Sequence, residues 1–375
     1  AHDLASRGSK IEFSYNQDDV LIRLRSLSSQ YPATLAILES ILVQPAMDGD
    51  VLATLKRQAL DQIDRRNEQA AELAARKLAE ILFARSRVGY SYTRSDINAI
   101  QRQDLQETRE GLFQKTWPII ALSGDIGRTQ ARSTVLQMLA RLPGTGFKPA
   151  YEQKDSVPPA ALQNFAEAIY LIEKDVPQAV VRMATRLPAH NSPDFYALQT
   201  GNYILGGGSF NSRLMKEIRV KRGLAYYAYS YNQFNRNYGL FYAGSASQNS
   251  SITTTIQLML AEIQGMGQPV EQAELKLAKD SILNTLIFQF EDPADQLDNQ
   301  IRFDRHGMPA NYLQRFSAKI NAQSAQDINA VFKRDVQARQ MVIVVVGPAS
   351  LKGELEKIRP VRLLQPEEPV WQKQP

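Results

Sequence analysis

The sequence predicts an α+β chain of two like-folded domains, each a largely antiparallel sheet with helices packed on one face. Three observations carry that prediction. The tetrapeptide SYNQ occurs at residues 14–17 and again at 230–233. The same landmarks follow each copy in the same order: Ser29-Gln30 and Ser247-Gln248, Pro45 and Pro269, Gly124 and Gly347. Their near-constant separation, about 220 residues, is what an internal repeat produces when only loops differ in length. Finally, each half runs from a β-rich stretch into long amphipathic helices and closes on a β-branched run into a Gly, WPIIALSGDI in the first half and MVIVVVGPAS in the second.

Taken in order, residues 33–43 and 50–66 show helical spacing, through Leu35, Leu38, Ile41 and Leu42 and then Leu52, Leu55, Ala59 and Ile63. Residues 68–84 are rich in strong helix formers and give a third helix. The stretch DINAIQRQDLQETREGLF gives another, capped by Ser95 or Asp96. A strand is expected over 117–123 and a helix from Thr129 to Leu142. The following PGTGFKPAYEQKDSVPP is dense in Pro, Gly and charge and reads as the linker. Beyond it, AIYLIEKDV and QAVVRMATRL form a strand pair, and SPDFYALQTGNYILGG is a helix ended by Gly. The boundaries expected are therefore 1–145 for the first repeat, 146–162 for the linker, 163–358 for the second repeat and 359–375 for a Pro-rich tail without regular structure. In the second half residues 168–222 precede the strand that leads into SYNQ, whereas only residues 1–13 do so in the first. The first repeat is thus read as N-terminally incomplete.

With 43% apolar and 22% charged residues the chain has material for two cores. Its net charge of +5 is spread among interspersed acids and bases, so no nucleic-acid partner is expected. Cysteine is absent, which removes disulfides and thiolate metal sites from consideration. No apolar run approaches the length of a membrane span, and the opening AHDLASRG does not read as a signal peptide.

The segment most informative about chemistry is ILGGGSFNSRLMKEIRVKRGLAYYAYSY, residues 204–231: a helix, a glycine loop, a helix from about Ser209 to Lys221, a turn at Gly223 and an aromatic strand. Here the chain resembles the pitrilysin/insulinase family of zinc metallopeptidases, the inverzincins. That family's second like-folded domain carries a Gly-rich turn, S-R-L, and an Arg followed seven residues later by a Tyr. Arg219 and Tyr226 have that spacing. The resemblance extends to the first half through Gly8, the L-x-S-L-S of Leu24 to Ser28 and the Gly124-Asp125 strand end. It implies a clamshell of four such domains enclosing a chamber. It also implies catalytic roles for Arg219 and Tyr226, as preorganised donors to a carbonyl oxygen that gains negative charge, with Gly206, Gly207, Gly208, Ser209 and Phe210 as a substrate-binding segment. By composition alone Arg219 is equally a solvated helix residue, and Tyr226 one of a packed row with Tyr227, Tyr229 and Tyr231. No G-K-[ST] follows the glycines, so they do not form a phosphate loop.

The catalytic halves of that family carry H-x-x-E-H and a downstream Glu ligand. The histidines here are His2, His190 and His306, none in such a motif, and no Glu lies between Glu39 and Glu68 where the ligand would fall. Glu12 and Phe13 occupy the places of the family's Asn-Ala in the substrate-pairing strand. The acidic cluster Glu291, Asp292, Asp295 and Asp298 reads as a Pro-started helix N-terminus rather than a cation site. What the resemblance implies is a subunit with no cofactor of its own, paired with a zinc-bearing peptidase subunit and acting on peptides, with a bacterial periplasmic setting as the family's guess. A structural subunit, like the respiratory-complex core proteins of the same family, is the alternative. A fragment of an active zinc metalloendopeptidase is the other.

Overall fold

The structure is a computed structural model, and it describes residues 2–15, 19–83, 89–115, 118–142, 165–235, 238–288, 290–305 and 307–368. In chain order the first elements are α1 (His2–Ser6), β1 (Lys10–Tyr15), β2 (Val20–Arg25), α2 (Tyr31–Val43), α3 (Gly49–Arg65) and α4 (Ala70–Leu82). There follow α5 (Arg94–Ala99), α6 (Arg102–Lys115), α7 (Arg128–Arg141), β3 (Ile169–Glu173), β4 (Gln178–Leu187) and α8 (Phe195–Asn202). The remainder is β5 (Ala225–Phe234), β6 (Gly239–Gln248), α9 (Ile252–Gly265), α10 (Gln272–Phe288), α11 (Pro293–Arg305), α12 (Tyr312–Ala322), α13 (Ala325–Asp335), β7 (Val342–Gly347), α14 (Lys352–Leu355) and β8 (Val361–Leu364). The chain divides into two compact units: Ala1–Asp61 with Thr93–Gln153 and Gln289–Met308, and Gln62–Tyr92 with Lys154–Phe288 and Pro309–Pro375. The expected linker at 146–162 lies outside the described residues.

In the first unit the hairpin β1–β2 pairs antiparallel, from Lys10 opposite Arg25 to Tyr15 opposite Val20. Two ion pairs tie it to α11: Arg23 to Asp298 at 2.6 Å and Arg305 to Asp19 at 2.5 Å. Arg109 on α6 donates to the Leu42 and Val43 carbonyls, which a helix end leaves without partners. The expected helix from 96 to 113 is two helices, because the chain leaves helical geometry at Ile100. Its cap is Thr93, in a reciprocal capping box with Asp96, rather than Ser95 or Asp96 itself. Residues 118–123 carry the β-branched run expected as a strand, yet they form none. A strand needs a neighbour for its backbone groups, and among the described residues this unit's only paired strands are β1 and β2.

The second unit is built on a six-stranded sheet in the order β5-β6-β4-β7-β3-β8. The pairs β5–β6, β6–β4 and β4–β7 are antiparallel, while β7–β3 and β3–β8 are parallel, so the sheet is mixed. Strands β3 and β4, expected to pair with each other, are separated by β7. The tail expected to be irregular supplies β8, which completes its backbone bonding along β3. Strand β7, VIVVVG, is buried throughout: Ile343 and Val345 face α8, α9, α10 and α13, and Val342, Val344 and Val346 face the opposite way. A strand apolar on both faces needs cover on both. The second cover is α4, through Leu73, Leu78, Ile81 and Leu82, so helices lie on both faces rather than one. Three buried strands packed between helix layers give this unit the rigid base on which β5 and its preceding turns sit.

Candidate functional site

The segment before β5 folds as a series of turns rather than the two regular helices expected. Helix α8 widens into a π-turn over Tyr203–Gly207, a 3₁₀ turn follows at Ser209–Asn211, and a second π-turn spans Met215–Val220. Single π-turns inserted at helix ends recur at functional sites because they redirect side chains without breaking the backbone bonding. Gly206 is fixed by close approach: a Cβ there would lie 2.3 Å from the Ser230 backbone nitrogen on β5. Ser230 in turn donates to Asn202 Oδ1 at 2.7 Å, locking α8 to the strand. Leu214 and Ile218 are fully buried beneath the second π-turn, and Arg213 grips α10 through a two-pronged bond to Glu274, at 2.9 and 2.6 Å. Burial works to raise the Glu274 carboxyl, but the Arg213 hydrogen bond and charge outweigh it and hold it below the usual range.

This scaffold brings Arg219 and Tyr226 together. The Arg219 guanidinium carbon lies 4.4 Å from the Tyr226 ring centroid and 4.7 Å from that of Phe210, so the cation sits between two rings. Each stack is worth about 0.5–1 kcal/mol at an exposed position. The neighbouring Lys221 and Arg222 share the single carboxylate of Glu217. Among the described residues no carboxylate pairs with Arg219. Tyr226 is 78% exposed and Phe210 is exposed as well. An oriented guanidinium with its charge uncompensated, beside an open phenol, can donate hydrogen bonds to an incoming anionic or polarised oxygen. Phe210 was foreseen only as part of the glycine loop, and its place as the second ring depends on the tight 3₁₀ turn. The Arg213–Glu274 brace joins residues far apart in sequence, and nothing in the local spacing pointed to it.

The other chemical candidates are placed as follows. The His190 ring packs 4.6 Å from Phe195, while His306 and the side chain of His2 lie outside the described residues. Glu12 pairs with Lys10 on the exposed hairpin, and Asp292 accepts from the Ala294 backbone at the start of α11, as an acidic helix N-terminus does. Among the described residues no cluster of three or more His, Asp or Glu side chains is arranged to hold a metal. No described helix is long and apolar enough to cross a membrane.

In fold the chain is similar to proteins of the M16 peptidase type. Residues 99–282 match the family model described as the peptidase M16 inactive domain. A Helicobacter pylori protein described as a non-peptidase homolog is 24% identical over 351 residues, which is 92% of this chain and 78% of that protein. An uncharacterized zinc protease of Mycobacterium tuberculosis is 21% identical over 88% of this chain and 74% of its own length. The crystal structure of a peptidase M16 inactive domain from Pseudomonas fluorescens superposes with a TM-score of 0.82 at 24% identity, covering 93% of this chain and 82% of that one. A chain of Complex III2 from Candida albicans superposes at 0.72 with 16% identity, over 93% and 86% of the two chains. The resemblance read from the 204–231 motif therefore holds.

Proposed function

We propose that this chain is the non-catalytic member of a two-chain zinc peptidase, an internally repeated half-clamshell that lends Arg219 and Tyr226 to a partner's zinc site. In this reading the metal is held by the partner, and the chain holds no cofactor. Arg219 and Tyr226 donate hydrogen bonds to the peptide at the carbonyl oxygen that gains negative charge, and the segment from Gly206 to Phe210 shapes the surface the peptide crosses. The observation that carries the reading is the stacked, acid-free Arg219 against the exposed Tyr226, reached through two successive π-turns. Donors fixed before the reaction need no reorganisation when charge develops.

The test is Tyr226→Phe in a complex reconstituted with a zinc-bearing subunit of the same family. The substitution keeps the ring over Arg219 and removes only the hydroxyl. The expected result is a fall in kcat of about 10²- to 10³-fold with KM much less changed, as for an interaction that strengthens in the transition state. Tyr227→Phe is the matched control, because Tyr227 packs on the other side of the sheet against the cluster around α4, and it is expected to be nearly silent. If both variants cleave like the wild type in an assembled complex, the donor role is wrong. The alternative of a structural subunit, which the likeness to a Complex III2 chain favours, then takes its place.

A further inference from the structure

Away from Arg219, the face of the sheet that α4 covers continues beyond the helix into a wall of aromatic rings. Tyr227, Tyr229 and Tyr231 alternate along β5 and stack in series, at 5.9 and 6.1 Å between centroids, and Tyr242 of β6 stacks on Tyr231 at 4.9 Å. Arg182 reaches this wall from β4, one strand further in. Its register partner on β6 is Gly244, which is also the partner of Tyr229 on β5. A Cβ at Gly244 would lie 2.7 Å from the Tyr229 hydroxyl and 3.2 Å from Arg182 Cδ. The glycine thus leaves a notch in which the tyrosine and the arginine meet, with the guanidinium carbon 5.3 Å from the Tyr229 centroid. The Tyr229 hydroxyl is buried in that notch with no hydrogen-bond partner. A buried hydroxyl without a partner is a cost of about 1–3 kcal/mol that a fold does not keep without a reason.

The charge on this wall is also uncompensated. Arg182 and Arg186 have the same parity on β4 as Val180 and Ala184, which lie on the α4 face. Both are half-buried, and among the described residues neither has a carboxylate partner. Four residues along a strand set them about 13 Å apart, the rise between residues i and i+4 of any extended peptide. A guanidinium takes a carboxylate in a two-pronged planar fork, and the flanking tyrosine rings offer apolar faces to the stem of an acidic side chain.

We propose that Arg182, Arg186 and the rings of Tyr229, Tyr231 and Tyr242 form an accessory site for an extended peptide bearing carboxylates four residues apart. That the ligand is a peptide rests on the function proposed above, but the site is separate from Arg219 and Tyr226 and does not need the partner chain. Tyr231 is 43% exposed, so the wall is open to a ligand at its outer end.

The experiment uses the chain alone and fluorescence anisotropy with a labelled ten-residue peptide carrying Glu at two positions four apart, against the same peptide with Gln at both. The Glu peptide is expected to bind at least about 10-fold tighter at low salt, the advantage shrinking as sodium chloride is raised because exposed charge pairs are screened. Arg182→Gln is expected to remove most of the difference, and Arg182→Lys, which keeps the charge and loses the fork, to fall between. Melting temperatures near that of the wild type show that the variants fold. Equal binding of the two peptides, or an Arg182→Gln chain that still discriminates, overturns the proposal. So does displacement of the Glu peptide by oligothymidylate at comparable concentration, which would make the wall a general polyanion surface. Arg219→Gln, which removes the cation of the other site, is expected to leave binding of the Glu peptide to the chain alone at the wild-type level. Loss of binding in that variant would move the peptide to the Arg219 site and equally overturn the assignment, whereas failure of the cleavage test alone leaves it standing.

Discussion

Replacing Glu80 by alanine tests the least forgiving part of the second unit. Glu80 lies on α4 with its side chain 3% exposed, and its carboxylate accepts from Arg76 at 2.7 Å, Lys77 at 3.1 Å and Ser91 at 2.8 Å. Lys77 is wholly buried, and its other partner is the Glu368 backbone carbonyl, so one ammonium links the helix to the chain end beyond β8. Burial pushes the Lys77 amine below its ordinary value, and the Glu80 charge resists that push. Glu80→Ala removes the resisting charge and leaves a buried cation with a lone carbonyl. Breaking a buried pair in this way costs about 3–5 kcal/mol. With a urea slope of about 2 kcal/mol/M the midpoint is expected to fall by about 2 M, followed by far-UV circular dichroism. The double variant Lys77→Met, Glu80→Leu removes both charges and refills the volume, while Arg76 retains Asn67 and Pro366 as acceptors. It is expected to regain part of the loss, because exchanging the Lys77–Glu80 pair for apolar groups is close to neutral while Arg76 still loses its carboxylate. A Glu80→Ala midpoint within about 0.3 M of the wild type, or a double variant as unstable as the single one, would refute the reasoning.

Two further outcomes follow from the packing. Gly206→Ala forces a methyl against the Ser230 nitrogen and Leu214 Cδ1, an overpacking worth about 1–3 kcal/mol. The melting temperature is expected to drop by several degrees, while Gly353→Ala, with nothing within 4 Å, is the control; equal melting temperatures would show that the approach is soft. At α13, hydrogen bonds from the Ser324 hydroxyl and backbone hold the Asp327 carboxyl below its usual value. Because the folded value is the lower one, the stabilisation is present above the unfolded pKa and is lost as the pH falls below about 4. Ser324→Ala should cost about 1 kcal/mol at pH 7 and flatten the loss of stability on acidification, measured by urea titration at stepped pH; an unchanged acid slope would argue against the cap.

The sequence was most legible where its signals are local. Helical spacing placed α2 and α3, and helix-former content α4, within a few residues, because these signals are written over three or four successive turns. The step from Arg219 to Tyr226 was equally readable, since a short turn and one strand entry leave the two side chains little freedom to part. The strand expectations failed at long range. WPIIALSGDI and MVIVVVGPAS carry the same β-branched pattern, yet of these only the second is a strand, because β3 and β4 flank β7 while residues 118–123 pair with no strand among the described residues. The strand pair expected for β3 and β4 is split for a related reason: adjacency in sequence says nothing about which edge a later strand will enter. Residues 361–364 read as tail and became β8 because β3 offered them a free edge.

The sequence by itself determined helices α2, α3 and α4, the meeting of the glycine segment with the aromatic strand in 204–231, and the absence of H-x-x-E-H from these residues, since each depends on neighbours along the chain. Only the tertiary structure decided that Phe210 closes over Arg219, that Glu274 braces Arg213, that α4 covers the second face of the sheet, and that Gly244 opens a notch joining Tyr229 to Arg182. These are meetings between residues that sequence distance leaves independent. They are fixed by which apolar faces must be buried together and which strands must complete one another's hydrogen bonds.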